Sequence, residues 1–542
     1  MAAKPHSRGR WRALQGRTCS LILVATTAAF MLVTRPASSQ ALFYANQGDL
    51  ASLDPHTLNE STTIAHLSHV YEGLVGRGKN LEIIPLLAES WENPEPTRWR
   101  FHLRRNVKFH SGDDFVADDV LFSADRVRAP GSNFQSSVPR DAKVIKVDDH
   151  TVDFILSSPD PILLSQFTWH IINKKWAEAN DAVKPTPASA TSSNYASLHA
   201  NGTGPFRIDS HQPGVRTVFK ANKGWWQRAE HNLSEIVFTP IKSDATRLAA
   251  FLSGEIDVIE PVPIQDIGRV NANRNVSVRT GSDLRIIFLG MDQQRDELLY
   301  SNVKGKNPFK DVRVREAVYR AIDVDLIKTR VMRDLSKPSA LLIAPELFRF
   351  ADQFARPEFD PDRAKKLLDE AGYPSGFEVG MDCPNDRYVN DEAICQAVVG
   401  MLARVGIKID LLAQPKQKFF AKVLRSGNYN TSFYLLGWVP PTLDSHNVLF
   451  QVVGCRDGSR GQVNLGGYCN KRIDDITDNI LIESDETKRD LLIRAAYELL
   501  IKDFAYIPLH QQPLAWGISD KIKNLTLRAD NQVLFYRVTK TP

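Results

Sequence analysis

Two consecutive helix-then-strand patterns in the second half of the chain most strongly limit the folds open to it. In the first, FDPDRAKKLLDEAGYPSGFEVGMDC, Asp360 and Pro361 are typical of a helix start. Gly372 and Pro374 are typical of its end, and an alternating strand follows. The second pattern, DEAICQAVVGMLARVGIKIDLLA, repeats the order. Together they predict an α/β arrangement over roughly residues 300–500.

Residues from about 80 to 200 have strand patterns instead. The segment WRFHLRRNVKF alternates apolar with polar side chains, which is the period of a half-buried strand. The segment KVIKVDDHTVDFIL predicts two strands joined by a turn at Asp148 and Asp149.

A helix with Ser243 or Asp244 as its cap is predicted in SDATRLAAFLSGEIDV. At 542 residues, the chain is expected to form two or three domains.

The first 41 residues differ in character from the rest. They contain six basic and no acidic residues, a thirteen-residue apolar run (21–33) and then small residues. This order is typical of a secretory signal peptide, because a membrane span needs ~20 apolar residues. We predict cleavage after Ala41, at the triplet Ser39-Gln40-Ala41. An uncut membrane anchor is the alternative.

Removal of this leader changes the charge of the chain. The formal +5 of the full sequence includes the six leader cations, so the remaining chain has a formal charge of −1. The sequence has no basic stripe with interleaved aromatic residues, and nucleic acid is not an expected partner.

Four cysteines remain: Cys383, Cys395, Cys455 and Cys469. They permit two disulfides in an exported protein, and pairing of near neighbours is the simplest of three connectivities.

The stretch NVKFHSGDDFVADDVLFSADRV (106–127) contains one histidine and five aspartates, which raises the question of a metal site. The EF-hand spacing is absent, and adjacent helical side chains point about 100° apart, so they are poor partners for one ion. A helix from about Ala117 places apolar residues on one face and Asp118 and Asp119 in its first turn, where the helix dipole favours negative charge. We therefore interpret the aspartates as scaffold.

This stretch belongs to a longer segment, PLLAESWENPEPTRWRFHLRRNVKFHSGDDFVADDVLFSADRV (85–127). The segment closely resembles the signature region of the family 5 extracellular solute-binding proteins, the dipeptide, oligopeptide and nickel binders of ABC importers. Further matches follow in order: LDPH, VYEGLV, GTGPFRI, LSGEIDV, DVRVREAVYRAID, FDPDRAKKLLDEAGYPSGFEV and GYCNKRIDDI. One departure is Val116, where the family usually has a Thr or Ser that caps the helix.

The resemblance implies an α/β, two-lobed periplasmic-binding-protein fold of the type II or cluster C-like kind, with an extra inserted α+β domain. The ligand would lie between the lobes, and hinge closure would trap it. After the signal peptide (1–41), the expected domains are domain I (42–80, 203–284 and 508–542), the strand-rich domain II (81–202) and the α/β domain III (285–507).

The function implied is capture of a peptide or peptide-like solute in the periplasm and its delivery to the permease and ATPase of an ABC transporter. We expect a monomer without a catalytic role and without a cofactor. The sequence lacks the G-x-S-x-G, H-E-x-x-H, phosphate-loop and C-x-x-C motifs of common enzymes. The alternatives are a binder of a nickel or other metal chelate, a secreted hydrolase and a sensor-type binding protein.

The ligand class depends on the segment LLGWVPPTLDSHNVLF (435–450). In the peptide binders of the family, an aspartate three residues after the tryptophan pairs with the peptide's α-amino group. Here that position is Pro441, which has no carboxylate. Asp444 could substitute for it, or it could cap the following helix. His446 matches a histidine of the nickel binders; it is either a ligand of a metal chelate or a surface or hydrogen-bonded residue.

Other residues are candidates for the cleft. Tyr44 and Asn46 lie on the first predicted strand, which reaches the cleft in related proteins; the alternative is ordinary strand pairing. Arg285 could clamp a ligand carboxylate or form an interlobe salt bridge. Trp438 could stack on a ligand or belong to the core. Gln512 offers neutral hydrogen-bonding groups near the return to domain I.

His66 and His69 are three residues apart on a predicted helix, so both could face one metal ion. No third ligand with a recognisable spacing accompanies them. We interpret them as structural or cleft-facing residues.

Overall fold

The computed structural model describes residues 40–167, 169–187, 190 and 192–542. The signal peptide predicted over residues 1–41 lies outside these residues, apart from Gln40 and Ala41, which begin the first strand. No helix in the described part of the chain combines the length and the apolar character needed to cross a membrane.

The bounds of the elements are as follows. The strands are β1 (Gln40–Asn46), β2 (Val75–Arg77), β3 (Ile83–Pro85), β4 (Ala88–Glu95), β5 (Arg98–Leu103), β6 (Lys143–Asp148), β7 (Thr151–Ile155), β8 (Phe206–Gln212), β9 (Arg216–Ala221), β10 (Leu233–Pro240), β11 (Val258–Glu260), β12 (Val276–Met291), β13 (Lys337–Pro338), β14 (Phe377–Pro384), β15 (Ile407–Gln414), β16 (Phe433–Trp438), β17 (Tyr506–Ser519), β18 (Ile522–Lys523) and β19 (Thr539–Lys540). The α-helices are α1 (Ser61–Leu67), α2 (Ala117–Arg128), α3 (Leu163–Gln166), α4 (Lys174–Ala179), α5 (Tyr195–Leu198), α6 (Asp244–Leu252), α7 (Ile267–Asn271), α8 (Val312–Arg320), α9 (Val324–Leu326), α10 (Pro361–Glu370), α11 (Asp391–Ala403), α12 (Lys416–Val423), α13 (Ser445–Val448), α14 (Lys471–Ile482) and α15 (Glu486–Lys502).

One large mixed sheet organises the fold. Among the described residues it has eleven strands in the order β15-β14-β16-β12-β17-β11-β1-β10-β9-β8, with β13 also paired to β17. At one end β14 is parallel to both β15 and β16. At the other end β1 is parallel to both β10 and β11. We call the part with β1 and β8 to β11 the first half, and the part with β14 to β16 the second half.

Two long antiparallel strands, β12 and β17, join the halves. Residues 276–282 of β12 pair with residues 513–519 of β17. After a break in register, residues 286–290 pair with residues 506–511. Residues 283–285 therefore lie opposite Gln512 without regular pairing, and such a bulge redirects side chains at the point where the sheet passes between its halves.

Helices cover both faces of the second half, which is why its central strands are apolar throughout. Successive residues of β12 point to opposite faces. Ile287 and Leu289 belong to a core with α8, α10 and α11. Phe288 belongs to a second core on the other face, with α13, α14 and α15. The helix-strand order predicted for this region is confirmed by α10, β14, α11 and β15.

A separate four-stranded sheet, β4-β5-β7-β6, lies within residues 81–202. In β5, Phe101 and Leu103 are buried while Arg100 and His102 face outward, which confirms the predicted alternation. The predicted hairpin is also present, as β6 and β7. Helix α2 packs its apolar face into the same core. The domain boundaries themselves stay a prediction.

The aspartate-rich stretch starts α2 at Ala117, as predicted. Val116 provides no side-chain cap; instead the Asp119 carboxylate accepts a hydrogen bond from Val116 N at 3.0 Å and from Lys174 N at 2.8 Å. Burial raises the pKa of Asp119 to about 6. Asp118 pairs with Lys146 at 2.7 Å. The aspartates thus connect elements of the scaffold.

The cysteines form the near-neighbour pairs, Cys383 with Cys395 and Cys455 with Cys469. This is one of the three connectivities that the sequence left open. Each bridge closes a short loop, with sequence separations of 12 and 14 residues.

Asp54 and Arg126 form a buried ion pair, and replacing Asp54 by Asn should destabilise the protein by about 3–5 kcal/mol, because the Arg126 charge would lose its partner. Both side chains are fully buried, and the two guanidinium nitrogens donate to the carboxylate at 2.7 and 2.6 Å. Burial alone would raise the pKa of Asp54, but the Arg126 hydrogen bonds and charge hold it below its usual value. Urea unfolding at neutral pH measures the loss.

The matched control is Asp125→Asn on α2, the helix that also carries Arg126. The Asp125 carboxylate is 76% exposed and pairs with Arg128. Exposed pairs contribute about 0–1 kcal/mol, so this variant should stay close to wild type. An equal loss in both variants would contradict the assigned role of the buried pair.

Candidate functional site

A cavity of about 1,400 Å³ lies between the two halves of the sheet and is lined from both sides. We call it the large cavity. Its lining includes Glu60, Glu72 and Arg104 on one side, and Arg387, Lys416 and Trp438 on the other. A volume of this order exceeds that of ordinary drug-sized sites and suits an extended polar ligand with accompanying water.

The lining of the large cavity carries more positive than negative side chains. The cations are Arg77, Arg104, Arg285, Arg387, Lys416, Arg528 and Arg537, and the acids are Glu60, Glu72 and Asp530. Asp530 is already paired with Arg528 at 2.5 Å. The excess of positive charge favours a ligand with at least one anionic group.

Arg387 and Lys416 are the cations most available to a ligand. Within the described residues, neither side chain has an ion pair within 4 Å or a hydrogen bond to a protein acceptor. Both face Glu60. Burial raises the pKa of this carboxyl, but hydrogen bonds from the start of α1 and the charges of the two cations outweigh burial, so the pKa lies below its usual value. Neither residue was predicted from the sequence, because Arg387 lies on a loop and Lys416 is the first residue of the short helix α12, so no periodic pattern marks them. One signal was available: each follows a parallel strand at its carboxyl end, where α/β sheets bind ligands.

The loop that carries Arg387 is held in place at several points. The Asp391 carboxylate accepts hydrogen bonds from the backbone N of Arg387 at 2.9 Å and of Tyr388 at 3.0 Å. The disulfide between Cys383 and Cys395 closes the loop around them. These constraints position the guanidinium before a ligand arrives.

Close packing explains why residue 437, just before Trp438, is a glycine. A Cβ added at Gly437 would lie 2.7 Å from Ile287 Cδ1, 2.8 Å from Tyr388 Cε1 and 3.1 Å from Arg285 Cδ. Glycine therefore lets the side chains of Tyr388 and Arg285 approach the strand closely. The Tyr388 hydroxyl also donates to Gly437 O at 3.3 Å.

A second cavity, of about 140 Å³, adjoins the large cavity and shares Ser61, His69, Arg285, Arg387 and Tyr388 with its lining. We call it the small cavity. Its remaining lining includes Tyr44, Asn46, His66, Glu260, Gln512 and Asn531.

Glu260 is the central acid of the small cavity. Its Oε1 accepts a hydrogen bond from Asn531 Nδ2 at 2.6 Å. Its Oε2 accepts from Asn46 Nδ2 and, at 3.5 Å, from the Tyr44 hydroxyl. In the described part of the chain no cation lies within 4 Å of it, and its removal from water raises its pKa to about 7.

The bulge of β12 links the two halves through Gln512. Arg285 Nε lies 3.4 Å from Asp283 Oδ2, and Gln512 Nε2 donates to the same oxygen at 3.0 Å. Gln512 Oε1 accepts from Val389 N, on the Arg387 loop, at 3.1 Å. Burial raises the pKa of Asp283, against the opposing charge of Arg285.

The structure divides the predicted site residues into three groups. Tyr44, Asn46, Arg285 and Gln512 meet in the small cavity, while Trp438 lines the large one. Asp444 and His446 are absent from the described lining of both cavities. Contact of any of these residues with a ligand stays a prediction.

Asp444 has the capping role that the sequence offered as one of two. Its carboxylate accepts from His446 N at 2.8 Å and pairs with Arg489 at 2.7 and 2.9 Å. The imidazole of His446 stacks on Phe450 with ring centroids 5.4 Å apart. Removal from water lowers the pKa of His446 to about 4, so the ring is neutral at physiological pH.

His66, on α1, and His69, two residues after its end, are both held by bonds to backbone carbonyls: His66 Nδ1 to Thr62 O at 2.7 Å and His69 Nδ1 to Ala65 O at 2.9 Å. Among the described residues, no group of three or more His, Cys, Asp or Glu side chains is placed to hold a metal ion.

Comparison with known proteins gives a consistent result. The family model "Bacterial extracellular solute-binding proteins, family 5 Middle" matches residues 82–460. The glutathione-binding protein GsiB of Shigella flexneri is 26% identical over 483 residues, which cover 88% of this chain and 90% of that protein. Two solved structures share the fold over 93% of this chain. The periplasmic binding protein DppA of Helicobacter pylori with the peptide STSA is 23% identical over 98% of its chain, with a TM-score of 0.78. NikZ of Campylobacter jejuni with Ni(L-His) is 20% identical over 100% of its chain, with a TM-score of 0.78.

Replacing Glu260 by Gln should change how stability depends on pH. In the folded protein the pKa of Glu260 is raised from 4.5 to about 7. Between these values the unfolded chain has lost this proton and the folded chain has kept it, so wild-type stability falls as the pH rises. Relative to the variant, wild type should lose up to about 3 kcal/mol over this interval and nothing further above it.

Urea unfolding from about pH 4 to pH 8 checks this expectation. Glu255→Gln, at an exposed glutamate, is the control and should follow the wild-type profile. Parallel profiles for wild type and Glu260→Gln would show that the carboxyl is not perturbed.

Proposed function

Because the chain belongs to the bacterial extracellular solute-binding proteins of family 5, we propose that it captures a peptide or peptide-like solute between its two lobes and delivers it to the permease of an ABC transporter. The observation that carries this proposal is the large cavity, which is lined from both halves of the sheet and includes unpaired cations. A solute that touches both sides stabilises the closed arrangement by the contacts it gains there.

The crossing strands β12 and β17 are the expected hinge. Contacts already bridge the two sides: Arg77 Nη2 donates to Thr442 O at 3.3 Å, and Val389 N donates to Gln512. Among the described residues such polar contacts are few, so a ligand can shift the balance between the open and closed forms.

In this proposal Arg387 and Lys416 bind a carboxylate of the solute. A guanidinium and an ammonium that have no acceptors among the described residues suit a carboxylate, and Arg387 can donate two parallel hydrogen bonds. The aspartate that binds the α-amino group in the peptide binders is replaced by Pro441, so recognition rests more on the anionic end.

The remaining assignments follow from this function. Residues 1–41 direct export to the periplasm, and the mature protein acts as a monomer that changes no bond of the solute. Domains I, II and III have the boundaries expected from the sequence, with the solute between the lobe of domains I and II and the lobe of domain III.

A binder of a metal chelate is the second candidate. The observation in its favour is His446, a neutral imidazole whose Nε2 has no hydrogen-bond partner among the described residues. A neutral imidazole nitrogen is a good ligand for nickel and similar metals. Because His446 is outside both cavities, this function requires the segment after Trp438 to move towards the cleft.

Native mass spectrometry of protein isolated from the periplasm without refolding is the first experiment, because it detects co-purified solute directly. Calorimetric titration of the emptied protein with di- to tetrapeptides, glutathione and the nickel-histidine complex follows. Binding of a peptide that is recovered intact supports the proposal, and cleavage of the peptide would favour a hydrolase. Binding of the nickel complex that is lost in His446→Ala would replace the proposal by the second candidate.

Arg387→Gln should weaken the binding of a peptide from this panel by about 10- to 100-fold, the value of a charge-assisted hydrogen bond. Arg387→Lys should weaken it less, because the charge is kept and only the paired geometry is lost. Arg404→Gln, at an exposed arginine of the same half, is the matched control and should bind like wild type. Unchanged affinity in Arg387→Gln would remove this residue from the site.

A further inference from the structure

Within the described residues, the small cavity presents a carboxylate without a cation and a buried imidazole nitrogen without a hydrogen-bond donor. Glu260 Oε2 faces it with neutral amide and hydroxyl partners and no cation within 4 Å in the described part of the chain. His66 also lines the cavity, is 4% exposed, and its Nε2 has no partner among the described residues.

The hydrogen bonds of His66 determine what its Nε2 can do. Its Nδ1 lies 2.7 Å from Thr62 O, and a carbonyl oxygen only accepts, so Nδ1 carries the proton. Burial lowers the pKa of His66 to about 4, so the ring is neutral and Nε2 presents a lone pair. A buried acceptor without a donor is costly and is uncommon in native proteins.

We propose that the small cavity is a subsite for a primary ammonium group, bound by the Glu260 carboxylate and by His66 Nε2. An ammonium offers a positive charge and three donors and no acceptor, which matches a carboxylate without a cation and the unpartnered His66 Nε2. An uncharged donor in place of the ammonium would satisfy His66 Nε2, but it would leave the Glu260 charge without a partner.

The other charges around the cavity leave Glu260 as its net negative group. Arg247 bonds to Asp244 and to backbone carbonyls. Arg285 is balanced by Asp283. Arg387 is shared with the large cavity and has no side-chain acceptor in the described part of the chain, so it is the group that a carboxylate on the same solute would meet.

This assignment deepens the proposed function and rests on it only for the source of the ammonium group. A solute with an ammonium in the small cavity and a carboxylate at Arg387 would span both cavities, as a peptide or an amino-acid conjugate can. It also gives the solute's amine a partner that Pro441 cannot provide.

The test uses n-butylammonium chloride as the probe, with n-butanol as the uncharged probe of the same hydrocarbon length. The full mature protein is titrated with each at constant ionic strength and about pH 8, where Glu260 with its pKa of about 7 is mostly ionised and the ammonium stays protonated, and the shift in its thermal unfolding midpoint is followed as a function of concentration. The proteins compared are wild type, Glu260→Gln, His66→Phe and the exposed control Glu255→Gln.

Concentration-dependent stabilisation of wild type and Glu255→Gln by the ammonium but not by the alcohol is the expected result. Glu260→Gln should bind the ammonium at least about tenfold more weakly. His66→Phe keeps an aromatic ring against Phe238 while removing the acceptor, and it should also bind more weakly. Each variant is first shown to unfold cooperatively, so that a loss of binding is separated from a loss of fold.

No difference between ammonium and alcohol, or equal binding by wild type and Glu260→Gln, would overturn the subsite. The outcome is independent of the peptide titrations. Ammonium binding together with failure of the whole peptide panel would leave the subsite standing and reject the proposed function, and the reverse pattern would reject the subsite alone.

Discussion

The antiparallel pairing of β12 with β17 is the constraint on which the rest of the structure depends. These two strands alone continue the main sheet from its first half into its second, within the described residues. The break in their register falls at residues 283–285, so Asp283, Arg285 and Gln512 are brought together at the crossing. A change in the angle between the halves must therefore pass through the same residues that border the small cavity.

Both cavities follow from the direction of the strands. In the first half, β1 is parallel to β10 and β11, so Asn46 and Glu260 emerge at a common edge. In the second half, β14, β15 and β16 are parallel, and the residues after them include Arg387, Lys416 and Pro441. The carboxyl ends of the two parallel groups face each other across the crossing strands. Polar side chains from distant parts of the sequence thus converge on one cleft because of topology, without any local motif.

Local patterns predicted local structure well. The bounds of α10, β14 and α2 follow from caps, proline positions and apolar periods that act over a few residues. The cap of α2 needed more than such a pattern, because Asp119 takes over the role that Val116 lacks and also binds Lys174.

Long-range partners could not be predicted in the same way. The cap by Asp444 was foreseeable as one alternative, whereas its pairing with Arg489, 45 residues away, was not. Arg387 and Lys416 escaped prediction for the same reason: only the pairing of strands shows that the loops after β14 and β15 meet opposite α1. The family resemblance supplied the two-lobed architecture, but Arg387, Lys416 and Glu260, which line the cavities, lie outside the matched motifs.

The disulfide around the Arg387 loop has a consequence for when the cleft becomes ready to bind. Ordering a loop of this size costs conformational entropy, and a covalent bridge reduces that cost before any ligand arrives. Cys383 and Cys395 form such a bridge across 12 residues. Cytosolic thiols are kept reduced, so in a newly made chain this bridge would not yet lower the entropy cost of ordering the loop. In the exported protein proposed above, oxidation would transfer that cost from the ligand to the disulfide and so tie maturation of the cleft to the cellular compartment.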